Sequence, residues 1–431
     1  MRVCATYGSV PGKRSDAPME EFRLDVFDEL PGDIGRDDII VLCGRDASLV
    51  PEGFEGLVDA GESEGGIPFR RIRSVHDFER TPEADAIAET LSVGGQEISK
   101  LACRADSFSD LHRIYLASEK ASGRHVLIGM GEIGTVTRLR PGVLGNEFTF
   151  GYVGEPTAPG QLPADEMMRL GDGCIIVGIT GNPLGHTRSP AMQNAAISQA
   201  GIAGICLRFP SPDLGHFADA VREYRIRGMN VTMPYKEEVM GQLDRIDAHA
   251  TEAGAVNTVV NDGGRLTGYS TDGYGVEFAF SEAGRPLEDH PKVLVFGSGG
   301  AARSAVYAAM GSGCETCVLG RNAEAVRRIC SNAGAEVAGD RSVEGYDAVI
   351  NCTPVGMSGD SGYMFGLDGL REGQTVMDCV YSRKTALVRA AESKGCRIAS
   401  GLDMLVGQGA RSFELWFGKG PDIRAMRGAI S

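Results

Sequence analysis

Short hydrophobic runs recur along the first 171 residues of the chain. Eight of them have the length of β-strands: VCATYG, EFRLDVF, IIVLCG, GLVDA, FRRIRSV, ISKLACR, HVLIGMG and FTFGYV. Helical patterns (PEADAIAETLS and SFSDLHRIYLASEKAS) separate only the later runs, whereas Pro- and Gly-rich stretches separate the early ones. This α/β pattern predicts a parallel (β/α)8 barrel, a TIM-like fold, that lacks several of its outer helices.

A second α/β pattern begins at about Cys174 and a third at Lys292. The second alternates strand patterns (CIIVGITG, GICLRF, GMNV) with helical ones (SPAMQNAAISQAGI, FADAVREYRIRG). The third contains the strand patterns KVLVFGSGG, CVLGRN, DAVINCTP and TVMDCVY, and the chain ends on the helical pattern LDMLVGQGARSFELWFG. Two further α/β regions are therefore expected after the barrel.

Composition restricts the class of protein. The 431 residues carry 43 Lys and Arg against 58 Asp and Glu, a net charge of −15, which argues against binding of nucleic acid. No apolar run reaches the ~18 residues that cross a bilayer, and the first residues lack the apolar core of a signal peptide. Most of the 11 cysteines stand alone in apolar runs, as reduced thiols do in cytoplasmic proteins. We therefore expect a cytoplasmic protein without membrane partners.

A glycine-rich turn follows the strand pattern KVLVF. Gly297, Gly299 and Gly300 separate that strand from a helix, where unpaired N–H groups favour a pyrophosphate. The next strand ends at Arg321, and an arginine there suits the 2′-phosphate of NADP, whereas an acidic residue would suit NAD. The alternatives are a plain turn for the glycines and a solvated loop charge for Arg321.

Six motifs after Ile175 occur in the order found in shikimate dehydrogenases, which this region resembles over about 250 residues. They are GNPLGHTRSPAMQNA, NVTMPYK, GAVNTVV, STDGYG, NCTPVGM and GLDMLVGQGARSFELW. The resemblance implies that Lys236 and Asp272 are the catalytic pair. It implies that substrate binds to Thr187, Ser189, Thr232, Asn257, Tyr381 and Gln408. It implies that NADP(H) binds to Gly297, Gly299, Gly300, Ala301, Arg321, Thr353 and Met357.

Three departures accompany this resemblance. Thr187 stands at the first serine of the family's HSxSP, Ser270-Thr271-Asp272 replaces NTD, and Tyr381-Ser382-Arg383 replaces YNP. None removes the proposed chemistry, because a lysine close to an aspartate still serves as a positioned acid and base.

Three basic residues mark the predicted barrel. His76, Lys100 and Arg138 fall at the carboxyl ends of consecutive predicted strands, where barrel active sites are built. A lysine on a buried strand is costly to charge and is readily activated as an amine nucleophile. Singly, each residue also fits a structural role.

Together and in order, these residues resemble type I 3-dehydroquinate dehydratase. The resemblance implies that Lys100 forms a Schiff base with the substrate ketone and that His76 is the general base and acid. The residues that it places around the substrate are Glu21, Arg23, Arg45, Arg138, Thr157 and Gln161. The match is good in the last four strands and poor in the first four, Thr157 replaces a serine, and both Asp59 and Glu62 could be the acidic residue after the fourth strand.

The two resemblances concern adjacent reactions. Dehydration of 3-dehydroquinate gives 3-dehydroshikimate, which NADPH then reduces to shikimate, and neither step needs a metal. We therefore predict a bifunctional enzyme with three domains: a barrel at 1–172, a substrate-binding domain at 173–288 with 402–431, and a Rossmann NADP-binding domain at 289–401. Its expected partners are these small molecules.

Two other functions remain open from the sequence. One is a shikimate dehydrogenase whose barrel is catalytically degenerate and serves only structure or assembly. The other is an NADP-sensing regulator without turnover. In addition, the missing outer helices predict an exposed apolar flank at FRLDVF and IIVLCG. We expect the dehydrogenase part or a partner subunit, as in a homodimer, to cover it.

Overall fold

A computed structural model describes residues 1–10, 14–61, 67–92, 97–185, 187–357, 359 and 362–431. The chain forms two compact units. Unit 1 comprises Met1–Gly185 and Gly201–Arg227, and unit 2 comprises His186–Ala200 and Gly228–Ser431. None of the helices in the described ranges combines the length and the apolar character needed to cross a bilayer.

Twenty strands and thirteen α-helices are present in the described ranges. The strands are β1 Val3–Tyr7, β2 Met19–Arg23, β3 Ile39–Val41, β4 Leu57–Asp59, β5 Arg70–Asp77, β6 Ile98–Arg104, β7 His125–Met130, β8 Thr149–Val153, β9 Ile175–Gly181, β10 Gly204–Pro210, β11 Gly228–Val231, β12 Arg245–Ile246, β13 Thr258–Asp262, β14 Arg265–Tyr269, β15 Lys292–Phe296, β16 Glu315–Leu319, β17 Glu336–Val337, β18 Ala348–Asn351, β19 Thr375–Asp378 and β20 Arg397–Ser400. The helices are α1 Ala84–Leu91, α2 Phe108–Lys120, α3 Thr135–Leu139, α4 Ala164–Leu170, α5 Ser189–Gln199, α6 Phe217–Glu223, α7 Ala248–Ala253, α8 Asp272–Glu282, α9 Gly300–Gly311, α10 Ala323–Ala333, α11 Ala386–Ser393, α12 Gly401–Phe417 and α13 Ile423–Gly428.

The first eight strands form the predicted barrel in unit 1. They are parallel and follow one another in the order β7-β6-β5-β4-β3-β2-β1-β8. The barrel is nearly closed, because β7 and β8 share no ladder in the described ranges. At this seam the side-chain amide of Asn146 hydrogen-bonds to the backbone of β7. It accepts from Leu127 N–H at 2.7 Å and donates to the carbonyl of Leu127 at 2.9 Å.

The inward-facing side chains form an apolar layer below a polar one. Alternate residues of the strands point inward. The apolar layer consists of Cys4, Met19, Ile39, Leu57, Ile72, Ile98, Val126 and Phe148. Two residues further along, the strands present Thr6, Glu21, Asp59, Ser74 and Lys100. The polar groups therefore meet in the upper half of the barrel, toward the carboxyl ends of the strands, where such folds hold their sites.

Only the later strands carry outer α-helices. Helices α1, α2, α3 and α4 follow β5, β6, β7 and β8, whereas loops and one 3-10 turn, Ala47–Leu49, connect β1 to β5 in the described residues. The expectation that another domain or subunit covers the early strands is wrong. Phe22 and Ile40 are buried by residues such as Phe27, Leu30 and Phe54 from the loops of the same unit. Long apolar loops therefore replace the missing helices.

Unit 1 also contains β9, β10 and α6, which pack on the barrel helix α2. Strands β9 and β10 are parallel. The ring of Phe108 on α2 lies 5.1 Å from that of Phe217 on α6, and the hydroxyl of Tyr224 donates to the carbonyl of Leu111 at 2.9 Å. Arg140, after α3, donates to the carbonyl of Cys174 at 2.8 Å. The barrel and this second α/β segment thus share one core.

Unit 2 contains a mixed set of strands and a six-stranded parallel sheet. In the first, β13 pairs antiparallel with β11 and β14, and β12 pairs parallel with β14. The second has the order β17-β16-β15-β18-β19-β20. This order is that of a Rossmann fold, whose ligand site lies where the order reverses, between β15 and β18. The sequence prediction of a Rossmann region after Lys292 is therefore confirmed.

Candidate active sites

A cavity of about 410 Å³ opens at the carboxyl ends of the barrel strands. This volume is in the range of small-molecule sites. Seven of the eight residues that the sequence assigned to the barrel site line it: Glu21, Arg23, His76, Lys100, Arg138, Thr157 and Gln161. Arg45 does not, because it is exposed beyond a turn in which Cys43 and Gly44 both adopt positive φ angles.

Lys100 lies deep in this cavity, between two carboxylates. It is the third residue of β6, below the strand end where the sequence pattern placed it. Its Nζ lies 3.6 Å from Glu21 Oε1, 3.4 Å from Asp59 Oδ2 and 4.4 Å from the centre of the Phe150 ring. Since its side chain is only 9% exposed, the amine is held in one place and shielded from water.

The carboxylates reverse the effect of burial on Lys100. Burial alone lowers the pKa of a lysine. Here Glu21 and Asp59 outweigh burial and raise the pKa of Lys100 above its usual value. The structure therefore corrects the sequence argument that a buried lysine would be easily discharged. An amine attacks a ketone only in its neutral form, and the two carboxylates make that form of Lys100 less abundant at neutral pH.

His76 lies on the strand next to Lys100, on the same face. Ser74 pairs with Lys100 in the register of β5 and β6, so that His76 is two residues nearer the barrel mouth. Burial lowers the pKa of His76, and Lys100 lowers it further, while Asp59 opposes the shift. The imidazole is therefore neutral near pH 7 and can accept a proton.

Arg138 provides a second buried cation in the cavity. It lies on the short helix α3 after β7, not at the strand end predicted from the sequence. Its Nη1 donates to the carbonyl of Phe150 at 3.4 Å, and its Nε has no partner among the described residues. Burial lowers its pKa to about 10, against the effect of Glu21, which leaves it charged at neutral pH. A buried cation with unused donors suits an anionic ligand.

The loop after β8 contributes Gln161 and Thr157 to the rim. Gln161 Oε1 accepts from the backbone N–H of Thr157 at 2.7 Å, from its hydroxyl at 3.0 Å and from the N–H of Ala158 at 3.1 Å. The amide NH2 group of Gln161 is thereby oriented by its own loop. It can meet a ligand hydroxyl without a further rearrangement.

The sequence left Asp59 and Glu62 as alternatives for the acidic residue after the fourth strand, and it did not identify Ser74, which binds that residue. Asp59 occupies this place, with Oδ1 accepting from the Ser74 hydroxyl at 2.5 Å and from Gly61 N–H at 3.1 Å. Glu62, the other candidate, lies outside the described residues. Ser74 was detectable only from strand alternation, because it precedes His76 by two positions on the same face.

A second set of polar groups centres on Lys236 in unit 2. Lys236 Nζ donates to Asp272 Oδ2 at 2.5 Å. Asp272 is the first residue of α8, where a helix N-terminus stabilises a carboxylate. Its other oxygen, Oδ1, accepts from Asn257 Nδ2 at 2.7 Å. Both oxygens of Asp272 are thus occupied, and the ammonium group of Lys236 is fixed.

A chain of hydrogen bonds connects this pair to α12. Asn257 Nδ2 lies 2.9 Å from Thr271 Oγ1 and 3.4 Å from Gln408 Oε1, and Asn257 Oδ1 accepts from Thr271 N–H at 2.8 Å. Ser412, one helical turn after Gln408, donates to the carbonyl of Gln408 at 3.0 Å. Thr271 and Ser412 were not predicted; Thr271 lies within the STDGYG motif.

The remaining predicted substrate residues lie around α5 and after β19. The hydroxyl of Thr187 accepts from Ser189 N–H at 3.3 Å, and Ser189 begins α5. The guanidinium of Arg188 lies 6.0 Å from the centre of the Tyr381 ring. Burial raises the pKa of Tyr381, with Arg188 opposing, so its hydroxyl stays protonated at neutral pH.

A cleft of about 840 Å³ lies at the carboxyl ends of β15 and β18. Six of the seven predicted cofactor residues line it: Gly297, Gly299, Gly300, Ala301, Arg321 and Thr353. Thr232 and Lys236 line it as well, which brings the catalytic candidate to the cofactor cleft. Met357 does not line it and is 55% exposed.

The glycines of the cleft fit a dinucleotide. Gly297 has a φ of +137°, and a Cβ there would approach the carbonyl oxygen of Cys352 to 3.2 Å. Nothing lies within 4 Å of a Cβ built on Gly299, so this space is free for a phosphate at the N-terminus of α9. Arg303, which was not predicted, also lines the cleft and pairs with Glu237 at 2.5 Å.

Family models match three parts of the chain. The model of type I 3-dehydroquinase matches residues 60–170, which begin after β4. That of the shikimate dehydrogenase substrate-binding domain matches residues 179–259, and that of the shikimate 5′-dehydrogenase C-terminal domain matches residues 401–430. The 3-dehydroquinase model therefore matches the later barrel strands, which also show the better resemblance in the sequence.

Similar proteins match the part of the chain that follows the barrel. A shikimate dehydrogenase (NADP(+)) of Pyrococcus furiosus is 40% identical over 260 residues, which are 58% of this chain and 93% of that protein. The shikimate 5-dehydrogenase of Thermus thermophilus, solved with NADP(H) and shikimate, is 32% identical with a TM-score of 0.56 and covers 59% of this chain and 98% of its own. A quinate dehydrogenase of Corynebacterium glutamicum, solved with NAD, is also 32% identical, with a TM-score of 0.55 and coverage of 59% and 98%.

The fold, both groups of polar side chains and these matches agree with the two resemblances found in the sequence. The chain belongs to the shikimate dehydrogenase family and carries, ahead of that part, a type I 3-dehydroquinase domain.

Proposed function

We propose that this chain dehydrates 3-dehydroquinate in the barrel and reduces the resulting 3-dehydroshikimate to shikimate with NADPH in unit 2. The observation that carries the proposal is the set of Lys100, His76 and Arg138 around one cavity, with Lys100 buried between carboxylates. A barrel that served only assembly would have no reason to bury two cations in a cavity, since buried charges are costly.

In the barrel, Lys100 attacks the substrate ketone after losing a proton, and water leaves to give a protonated Schiff base. The iminium withdraws electrons from the neighbouring carbon, and neutral His76 removes the proton there. The hydroxyl at C1 then departs with that proton from His76 as water, and hydrolysis releases the enone and Lys100. Arg138 holds the substrate carboxylate, and Glu21, Arg23 and Gln161 surround the hydroxyls.

In unit 2, Lys236 and Asp272 supply the proton for the hydroxyl that forms when the ketone is reduced. NADPH supplies the hydride when it is bound. Lys236 donates a proton to the oxygen of the reduced ketone, and Asp272, fixed by Asn257, keeps the ammonium aimed at it. Gln408, Thr232, Thr187, Ser189 and Tyr381 orient the substrate carboxylate and hydroxyls.

The cofactor is assigned to the cleft of unit 2. Gly297, Gly299, Gly300 and Ala301 receive the pyrophosphate at the start of α9. Arg321, exposed after β16, pairs with the 2′-phosphate of NADP(H), and Thr353 lies on the opposite wall. The domain limits of 172, 288 and 401 are likewise part of this proposal.

Borohydride trapping tests the proposal at the residue that carries it. The full-length chain is incubated with 3-dehydroquinate and sodium borohydride, which reduces an iminium to a stable amine, and the modified peptide is located by mass spectrometry. We expect one adduct on Lys100, absent without substrate and absent from Lys100→Ala. An unmodified Lys100 would leave the chain a dehydrogenase with a degenerate barrel.

A further inference from the structure

Two histidines from distant parts of the sequence stack on each other in unit 1, away from both candidate active sites. His112 lies on α2, and His216 precedes the first residue of α6. Their ring centroids are 4.2 Å apart, and the ring planes differ by 12°. His216 has a φ of +56°, a left-handed conformation that is unfavourable for a non-glycine residue.

Each imidazole has its own carboxylate. His112 Nδ1 lies 2.7 Å from Glu223 Oε1, and His216 Nδ1 lies 2.9 Å from Asp219 Oδ2. Since a carboxylate accepts, the Nδ1–H of His112 is directed to Glu223 and its Nε2 presents a lone pair. A carboxylate that accepts a hydrogen bond from the ring N–H of a metal-bound histidine orients the ring and raises its basicity.

Glu223 is incompletely satisfied. Its side chain is only 13% exposed, and its Oε2 has no hydrogen-bond partner among the described residues. A cation beside His112 would strengthen the hydrogen bond to Glu223 and offset the cost of burying this carboxylate.

We propose that His112, His216 and Asp219 bind a divalent transition-metal ion, with Glu223 as the positioning carboxylate of His112. One nitrogen of each ring and one oxygen of Asp219 lie within 4.8 Å of one another. Zn–N bonds of about 2.0–2.1 Å place the ligand atoms of a tetrahedral ion about 3.4 Å apart. A contraction of about 1.4 Å at most is needed. His216 must also rotate out of the stack, because an ion bound through nitrogen lies in the plane of each ring, and the half-exposed side chains of His216 and Asp219 leave room for this movement.

The donor set indicates the class of ion. Two imidazoles with one carboxylate suit Zn²⁺, Co²⁺, Ni²⁺ and Cu²⁺ and disfavour Mg²⁺ and Ca²⁺, which prefer oxygen ligands. Water would fill the remaining positions. The described residues around the site offer no thiolate ligand within the cluster, so the coordination is by nitrogen and oxygen.

The site would connect two parts of the chain that match different families. His112 lies within the residues that match 3-dehydroquinase, 60–170, and His216 and Asp219 lie within those that match shikimate dehydrogenase, 179–259. Helices α2 and α6 already pack through Phe108 and Phe217. An ion held by both helices stabilises this packing by mass action, because the unfolded chain has no preformed site.

Cobalt titration of the full-length chain tests the site. Co²⁺ is added without chelator under argon, and its visible d–d spectrum is followed together with thermal unfolding. We expect saturable binding of one ion, bands of nitrogen and oxygen ligation without thiolate charge transfer, and a higher Tm. His112→Gln and His216→Gln should each weaken binding at least about tenfold, and Glu223→Gln roughly tenfold.

His249→Gln is the matched control. His249 is also an exposed histidine with a carboxylate three residues later, and its Nδ1 lies 3.9 Å from Glu252 Oε2. Within the described part of the chain, no second histidine joins it in a cluster of possible metal ligands. This variant should bind Co²⁺ as the unmodified chain does. All variants should retain both catalytic activities, which shows that they fold. Absence of saturable Co²⁺ binding would overturn the proposal, and so would thiolate charge-transfer bands. Binding of Co²⁺ by His112→Gln and His216→Gln as tightly as by the unmodified chain would also overturn it.

Discussion

The two lysines proposed as catalytic, Lys100 and Lys236, lie in contrasting environments. Lys100 is enclosed by two carboxylates at 3.4 and 3.6 Å and by the Phe150 ring, inside a barrel. Lys236 has one partner, Asp272, at 2.5 Å and faces an open cleft. The first arrangement suits a nucleophile whose amine must be held in a fixed position and shielded from water while it is bound to substrate. The second suits a proton donor whose substrate arrives beside a cofactor.

The comparison predicts that each lysine can be removed without affecting the other site, and Lys100→Ala should have the largest effect. Loss of the covalent nucleophile should lower 3-dehydroquinate dehydration by on the order of 10⁴-fold or more. Reduction of 3-dehydroshikimate should stay within about twofold. Dehydration is measured by the ultraviolet absorbance of the conjugated product. Lys120→Ala, at an exposed lysine paired with Asp85, is the control and should change neither rate.

Lys236→Ala should impair the reduction of 3-dehydroshikimate and leave the dehydration of 3-dehydroquinate intact. Without the positioned proton donor, kcat for reduction of 3-dehydroshikimate should fall about 10²- to 10⁴-fold, while dehydration is retained. The rate is followed by NADPH absorbance. Lys292→Ala, at a half-exposed lysine paired with Glu315, should leave both rates unchanged. A full dehydrogenase rate in Lys236→Ala would remove the assigned role.

Arg321→Ala should separate the cofactors rather than the substrates. Loss of one charged hydrogen-bonding group, about 1.5–3 kcal/mol, should raise KM for NADPH by about 10- to 100-fold and leave KM for NADH unchanged. Initial rates with each cofactor measure this. Arg341→Ala, an exposed arginine elsewhere in the Rossmann region, is the control. Equal effects on NADPH and NADH would refute the 2′-phosphate contact.

Asp59→Asn should change the pH dependence of the barrel reaction. Asp59 raises the pKa of Lys100 and opposes the lowering of that of His76, so its neutralisation lowers both. More amine and more neutral imidazole are then present at acid pH. The acidic limb of kcat/KM for dehydration should therefore move to lower pH by about one unit. Asp165→Asn, on the outer helix α4, should cause no shift; an upward shift in Asp59→Asn would contradict the account.

The sequence was sufficient for the elements that obey simple periodicity. The eight barrel strands and the Rossmann region follow from alternation and from strand order. His76, Lys100 and Arg138 do line one cavity, but Lys100 lies below its strand end and Arg138 lies on a short helix after its strand. Arg45 was assigned from its position after the third strand, but it lies exposed beyond a turn in which Cys43 and Gly44 both adopt positive φ angles. Backbone turns of this kind leave no hydrophobic period.

Packing between segments that are distant along the chain could not be predicted from the sequence either. The early strands were expected to need a partner, because loops do not show whether they will fold back over Phe22 and Ile40. The state of Lys100 depends on Glu21 and Asp59, which lie 79 and 41 positions earlier in the chain. Burial was inferable from the strand pattern, but the neighbours that reverse its effect on the pKa were not.

The coupled reaction shows whether one chain catalyses both steps. The chain is supplied with 3-dehydroquinate and NADPH as the only substrates, and NADPH absorbance is followed with and without Lys100→Ala. We expect NADPH oxidation with shikimate as product, and none in Lys100→Ala unless 3-dehydroshikimate is added. A chain that reduces added 3-dehydroshikimate but never oxidises NADPH with 3-dehydroquinate would contradict it.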